Sequence, residues 1–144
     1  MLMGGIDEAV HSYLETMPIM RFAGVEVVSL DLGRLELRMP VRPELCLTDG
    51  VLHVGIVGML ADMAAGGACY TMLPPSWGTS TADHTLKLLT PAAGDRLVAK
   101  GRVVQAGGYA SVGAADVIVS RNGVERLCAT ALVTMRNTPP PSDT

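Results

Sequence analysis

Between Val51 and Leu73 only His53 and Asp62 are strongly polar, so a carboxylate stands near the middle of an otherwise apolar run. Burying a carboxylate is costly unless it is hydrogen-bonded, ion-paired or put to use. Burial also disfavours the charged form, which makes such an aspartate a stronger base or nucleophile than one on the surface. Two readings of Asp62 stay open on this physics: it does chemistry, or it is structural, capping a loop or pairing with an arginine such as Arg34 or Arg38. The other reactive residue types offer less. Cys46, Cys69 and Cys128 are far apart and form no C-x-x-C pair, so they read as buried thiols of a reducing compartment. His11, His53 and His84 lack metal-ligand spacing, and neither a metal nor a cofactor is expected.

The elements that must position Asp62 follow from the patterning. Ile6, Val10, Tyr13, Leu14 and Met17 share one helical face, with Asp7 as a candidate N-cap and Pro18 closing the segment. Phe22 to Leu30 favours a strand, Asp31-Leu32-Gly33 a turn, and Arg34 to Met39 alternates as a half-exposed strand, which makes a hairpin. Residues 40–50 hold Pro40, Pro43 and Gly50 and read as a loop. The apolar run from Val51 is then a helix, ended by Pro74-Pro75. After Gly78 the period becomes two, giving strands over Thr79–Leu89, Arg96–Ala106, Tyr109–Ser120 and Val124–Met135. The last turn is Asn122-Gly123, both of whose residues tolerate positive φ. The fold class is α+β: an antiparallel curved sheet wrapped around a long central helix, in one domain over residues 1–136. The Pro-rich tail, 137–144, reads as disordered.

Composition narrows the function. The chain has 144 residues, 49% hydrophobic, with one Trp, three Tyr and one Phe, so the core is mostly aliphatic. A net charge of −3, with scattered bases, argues against a nucleic-acid surface. The apolar run is long enough to span a bilayer, but Asp62 at its centre would cost roughly 2.5–3.5 kcal/mol there, so a buried helix is expected and no membrane partner. Met1 to Val10 carries Asp7 and Glu8 with no basic residue, unlike a secretory leader, and a cytoplasmic location is expected.

His53 and Asp62 are nine positions apart, and Gly55 follows the histidine by two. This segment resembles the PaaI-like group of hot-dog acyl-CoA thioesterases, whose pattern is His-Gly-Gly with an acidic residue nine positions after the His. Gly78 to Pro91 resembles the family's next strand, and the likeness spans roughly residues 18–136. It implies a hot-dog fold and hydrolysis of acyl-coenzyme A. Asp62 would attack the thioester or activate water, and the Val54 N–H would stabilise the oxyanion. First-turn N–H groups, which lack intrahelical partners, suit that second role. His53 would orient the turn or touch the thioester, a structural cap being the alternative. Thr81 falls where some members place a Ser or Thr near the reacting group, although threonine is also an ordinary strand residue. Leu47 stands where many members carry Asn or Gln, Val54 replaces the first Gly, and Gly107-Gly108-Tyr109 lacks the basic residue that meets coenzyme A phosphates in many relatives.

Val54 and Asp62 lie eight residues apart, roughly 12 Å along a helix, too far to act on one group within one chain. Antiparallel helices across a two-fold axis would join one chain's Val54 to the other's Asp62, so a homodimer or dimer of dimers is expected. The competing function is a non-catalytic protein of the same fold that binds acyl-thioesters or apolar ligands. A hydroxyacyl dehydratase ranks below both.

Overall fold

Period-two patterning becomes a single six-stranded antiparallel sheet in the computed structural model, which describes the backbone of residues 2–143 and the side-chain surroundings of residues 8–143. Helices α1 (Leu2–Glu15) and α2 (Pro18–Ala23) precede the hairpin β1 (Glu26–Asp31) and β2 (Arg34–Pro40). A small ladder, β3 (Cys46–Thr48) and β4 (Val51–Leu52), leads into the central helix α3 (Val54–Tyr70). Strands β5 (Gly78–Leu88), β6 (Arg96–Gln105), β7 (Ala110–Arg121) and β8 (Val124–Thr138) complete the chain. The sheet order is β1-β2-β6-β7-β8-β5, which leaves β5 as an edge. Among the described residues no helix is long and apolar enough to cross a membrane.

The helix lies on the sheet at unusually short range because two strand positions have no side chain. A Cβ on Gly101 of β6 would overlap the Ala64 carbonyl, and one on Gly113 of β7 would press on the Ala65 carbonyl at 2.8 Å. The buried face of α3 is correspondingly small: Ala61, Ala64, Ala65, Gly66 and Ala68. Larger side chains from Leu35, Leu37, Met39, Leu97 and Val117 fill the space around it. At the far end Thr71 closes the helix, accepting a 2.7 Å hydrogen bond from the N–H of Gly33. Val10 and Leu14 of α1 are buried, and Tyr13 lies 5.4 Å from the Tyr70 ring.

Several boundaries differ from those the sequence implies. Helix α1 begins at Leu2, so Asp7 is inside it rather than capping it; the side chains of Ile6 and Asp7 lie outside the described surroundings. Phe22 belongs to a helix, not a strand, because Pro18 sits at the start of α2 and Gly24 ends it at φ 72°. The expected loop 40–50 contains a 3₁₀ turn (Pro43–Leu45) and β3. Val51 and Leu52 are strand, since Leu52 N–H donates to the Ala92 carbonyl at 3.0 Å. The final strand runs through Thr138, and Asn137 is 3% exposed. Its amide donates to the Gly107 and Gly108 carbonyls and to Ser111 Oγ at 3.3, 3.2 and 2.9 Å, tying the strand end to the β6–β7 turn. Asn122 and Gly123 turn as expected, at φ 51° and 80°.

The close helix–sheet contact has a direct test. Gly101→Ala must push α3 off β6 and should cost about 1–3 kcal/mol or more in chemical denaturation. Gly108→Ala, with nothing within 4 Å of the added methyl, should change stability far less. Equal stabilities for the two variants would contradict this packing.

Candidate active site

His53 joins β4 to α3 and is the helix N-cap. Its backbone is extended (φ −62°, ψ 139°), and its carbonyl accepts from the N–H groups of Ile56 and Val57 at 2.9 and 3.3 Å. Its ring folds back so that Nδ1 accepts from the Gly55 N–H at 2.8 Å, which places the proton of the neutral ring on Nε2. Gly55 permits that fold: a Cβ there would sit 3.0 Å from Nδ1. With Gly55 satisfied by the ring, the N–H of Val54 is left without a partner among the described residues. It is a free donor at the positive end of a helix dipole, the arrangement that receives developing negative charge. The Val54 side chain beside it is 45% exposed.

Two turns along α3, Asp62 is half-buried, on a flank that also bears the half-buried Ile56, Met59 and Met63. The curved sheet wraps most of the helix and leaves this flank only partly covered. Asp62 Oδ1 accepts a 2.8 Å hydrogen bond from Thr81 Oγ1 of β5. Neither arginine considered above is its partner. Arg38 donates to Glu26 from Nε and Nη2 at 3.2 and 2.6 Å, and Arg34 makes no ion pair among the described residues. Leu47, 68% exposed, lies on β3, whose partner strand β4 runs into His53. Thus one chain groups His53, Val54 and Gly55 at the helix start, with Leu47 nearby, and Asp62 with Thr81 further along. It does not bring Val54 to Asp62.

One residue missed in the sequence stands between these groups. A Cβ on Gly58 would meet His84 Cε1 at 3.2 Å, so the His84 ring lies against α3 midway between Val54 and Asp62. A bulge at Ala82 shifts the register between Thr81 and Asp83, so that Thr81, His84 and Leu86 oppose the buried Met135, Val133 and Ala131. Strict alternation would have put Asp83 and Thr85 on that face.

The thiols are elsewhere. Burial pushes the Cys69 thiol from 9.0 up to about 11. It also raises Cys128, against a smaller opposing effect of a hydrogen bond to Thr90. Both are poor nucleophiles at neutral pH. Since folding raises the Cys69 value, the protonated thiol's contribution to stability is full below pH 9 and is lost as pH rises from 9 through about 11. In native protein at pH 8 a maleimide should react with the half-buried Cys46 and spare Cys69 and Cys128 until unfolding; mass spectrometry showing all three labelled at one rate would contradict that burial.

No protein-family model matches the chain. A Halobacterium salinarum protein provisionally named an esterase is 33% identical over 115 residues, covering 76% of this chain and 74% of that protein. The crystal structure of a thioesterase family protein from Silicibacter pomeroyi superposes with a TM-score of 0.91 at 30% identity, over 93% of this chain and 98% of that one. The Escherichia coli PaaI protein of the phenylacetic acid degradation operon shares the fold, with a TM-score of 0.82, 21% identity and coverage of 94% and 95%.

Proposed function

The chain belongs to the PaaI-like hot-dog thioesterases, and on that premise we propose that it hydrolyses acyl-coenzyme A thioesters at a site shared by two copies. The observation that carries the reading is the unpartnered Val54 N–H at the head of a helix whose half-buried flank also bears Asp62. The thioester oxygen accepts from Val54 of one copy. Asp62 of the other copy either removes a proton from water as it adds to the carbonyl carbon, or adds to that carbon itself. In both routes the C–S bond breaks and the thiolate leaves; in the second, water then hydrolyses the mixed anhydride. Thr81, donating to one carboxylate oxygen, leaves the other oriented for this work. Asp62→Asn keeps the volume and removes the charge, so it should fold normally and lose turnover by a factor of about 100 or more. Near-wild-type hydrolysis by the folded variant would end the mechanism.

The pairing of copies follows from what one chain leaves uncovered. The free edge of β5 and the half-buried flank of α3 adjoin each other, and both are relieved by a second copy. A compact, stable 15 kDa species in sedimentation would contradict the dimer. Its shared site is tested by mixing Asp62→Asn with Val54→Pro, each inactive alone. Proline should be tolerated at 54 because the N–H there is unpaired and His53 is already extended. Random pairing gives about half mixed dimers with one good site of two, so about a quarter of wild-type activity should return. No return, with mixed dimers present and both variants folded, would refute a shared site.

A second reading, binding without turnover, has one observation in its favour. Leu47 cannot hydrogen-bond a thioester or an attacking water from its exposed place on β3. Tight binding of acyl-coenzyme A with no thiol release would establish it.

A further inference from the structure

Past the N-terminal end of α3, the helix-bearing face of the sheet opens into a cleft of about 510 Å³. Its walls include Thr90, Ala93, Val119, Arg121 and Arg126, and neither Asp62 nor Thr81 lines it. Strand register puts both arginines on this face. Arg126 stands opposite Val119, whose side chain is buried in the core, and Arg121, two residues beyond Val119, stands opposite Val124. Neither guanidinium has an ion pair or hydrogen bond among the described residues. Asp49 and Asp95 share an adjoining hollow with Arg121, but Asp95 already accepts from the Asn122 N–H at 3.0 Å. Glu125, opposite Ser120, points to the other face.

The cleft adjoins the candidate active site. Val51 bridges to Ala93, Leu52 donates to Ala92, and Val54 is only two residues past Leu52, at most about 7.6 Å between Cα atoms. Two unpaired guanidinium groups suit a group that is both anionic and rich in hydrogen-bond acceptors, which is a phosphate. A second arginine-lined hollow, near Arg21 and Arg96, is less free: its Arg38 is paired with Glu26 and its Arg42 donates to the Phe22 carbonyl.

Resting on the thioesterase reading above, we infer that this cleft receives the phosphates of the substrate's thiol carrier, so that Arg121 and Arg126 select phosphorylated thioesters over phosphate-free ones. The thioester sits at the Val54 N–H, and the thiol arm runs past Leu52 into the cleft. This places the phosphate-binding charge at the Arg121 end of β7, opposite the Gly107-Gly108-Tyr109 turn.

The test compares one acyl group carried on coenzyme A and on N-acetylcysteamine, and measures binding of coenzyme A itself by calorimetry. In the Arg121→Gln/Arg126→Gln protein the ratio of kcat/KM, coenzyme A ester to N-acetylcysteamine ester, should fall at least about tenfold. Coenzyme A affinity should fall by a similar factor and lose part of its salt dependence. Lysine at both positions should restore most of the ratio, and Arg34→Gln on the opposite face should leave it unchanged. An unchanged ratio or affinity in the folded glutamine variant overturns the inference while leaving the thioesterase reading intact, and so does a wild-type protein that does not bind coenzyme A. Arginine-dependent coenzyme A binding with neither ester hydrolysed upholds the cleft and defeats the thioesterase reading instead.

Discussion

Gly101 and Gly113 let the backbone of α3 rest directly on β6 and β7, with Ala64 and Ala65 as the helix's side of the contact. Close packing at that point fixes the height and direction of the helix, and interiors at such density do not deform gradually. Both ends of α3 are then anchored separately: His53 folds over Gly55 at the start, and Thr71 binds Gly33 at the finish. Everything chemical follows from that seat. The free N–H at Val54 stands at the head of that seat, and the carboxylate two turns on meets the threonine of the edge strand β5.

Much of this arrangement is legible in the residues because the physics behind it is periodic. Alternation locates β2 and the four strands after the helix, and the Asn122-Gly123 turn sets the first four pairs of β7 with β8, before a bulge at Val117 and Ile118 shifts the register. What escapes is non-periodic or long-range. The bulge at Ala82 rotates His84 onto the helix face, and no local pattern announces it. Asn137 looks like the start of a polar, proline-rich tail, yet its amide satisfies carbonyls about thirty positions earlier in the chain. The helix at Phe22 depends on its two ends, Pro18 and Gly24, more than on its composition.

The candidate site divides in the same way. The spacing of His53 and Asp62 along one helix is a property of the sequence, and so is the impossibility of their neighbours meeting within one chain. Which first-turn donor stays free is not. That depends on the rotamer by which His53 takes the Gly55 N–H rather than the Val54 N–H. The partner of Asp62 is likewise a long-range fact, a threonine hydroxyl from β5, while Arg38 is committed to Glu26.

The strand order carries a consequence for how the molecule is made. Strand β5 belongs to the sheet only through β8, and two other strands are synthesised between them. As the chain leaves the ribosome, β5 must wait unpaired until β8 has emerged, and Thr81 has no fixed place until then. Pairing between segments so distant in sequence is slow and leaves sticky edges exposed meanwhile. Asp83, His84 and Lys87 fall within that waiting strand, and such polar residues blunt mispairing with neighbouring nascent chains. The same strand that would complete the reacting surface is thus the last to be secured, so a chain interrupted before β8 carries the helix but not its threonine.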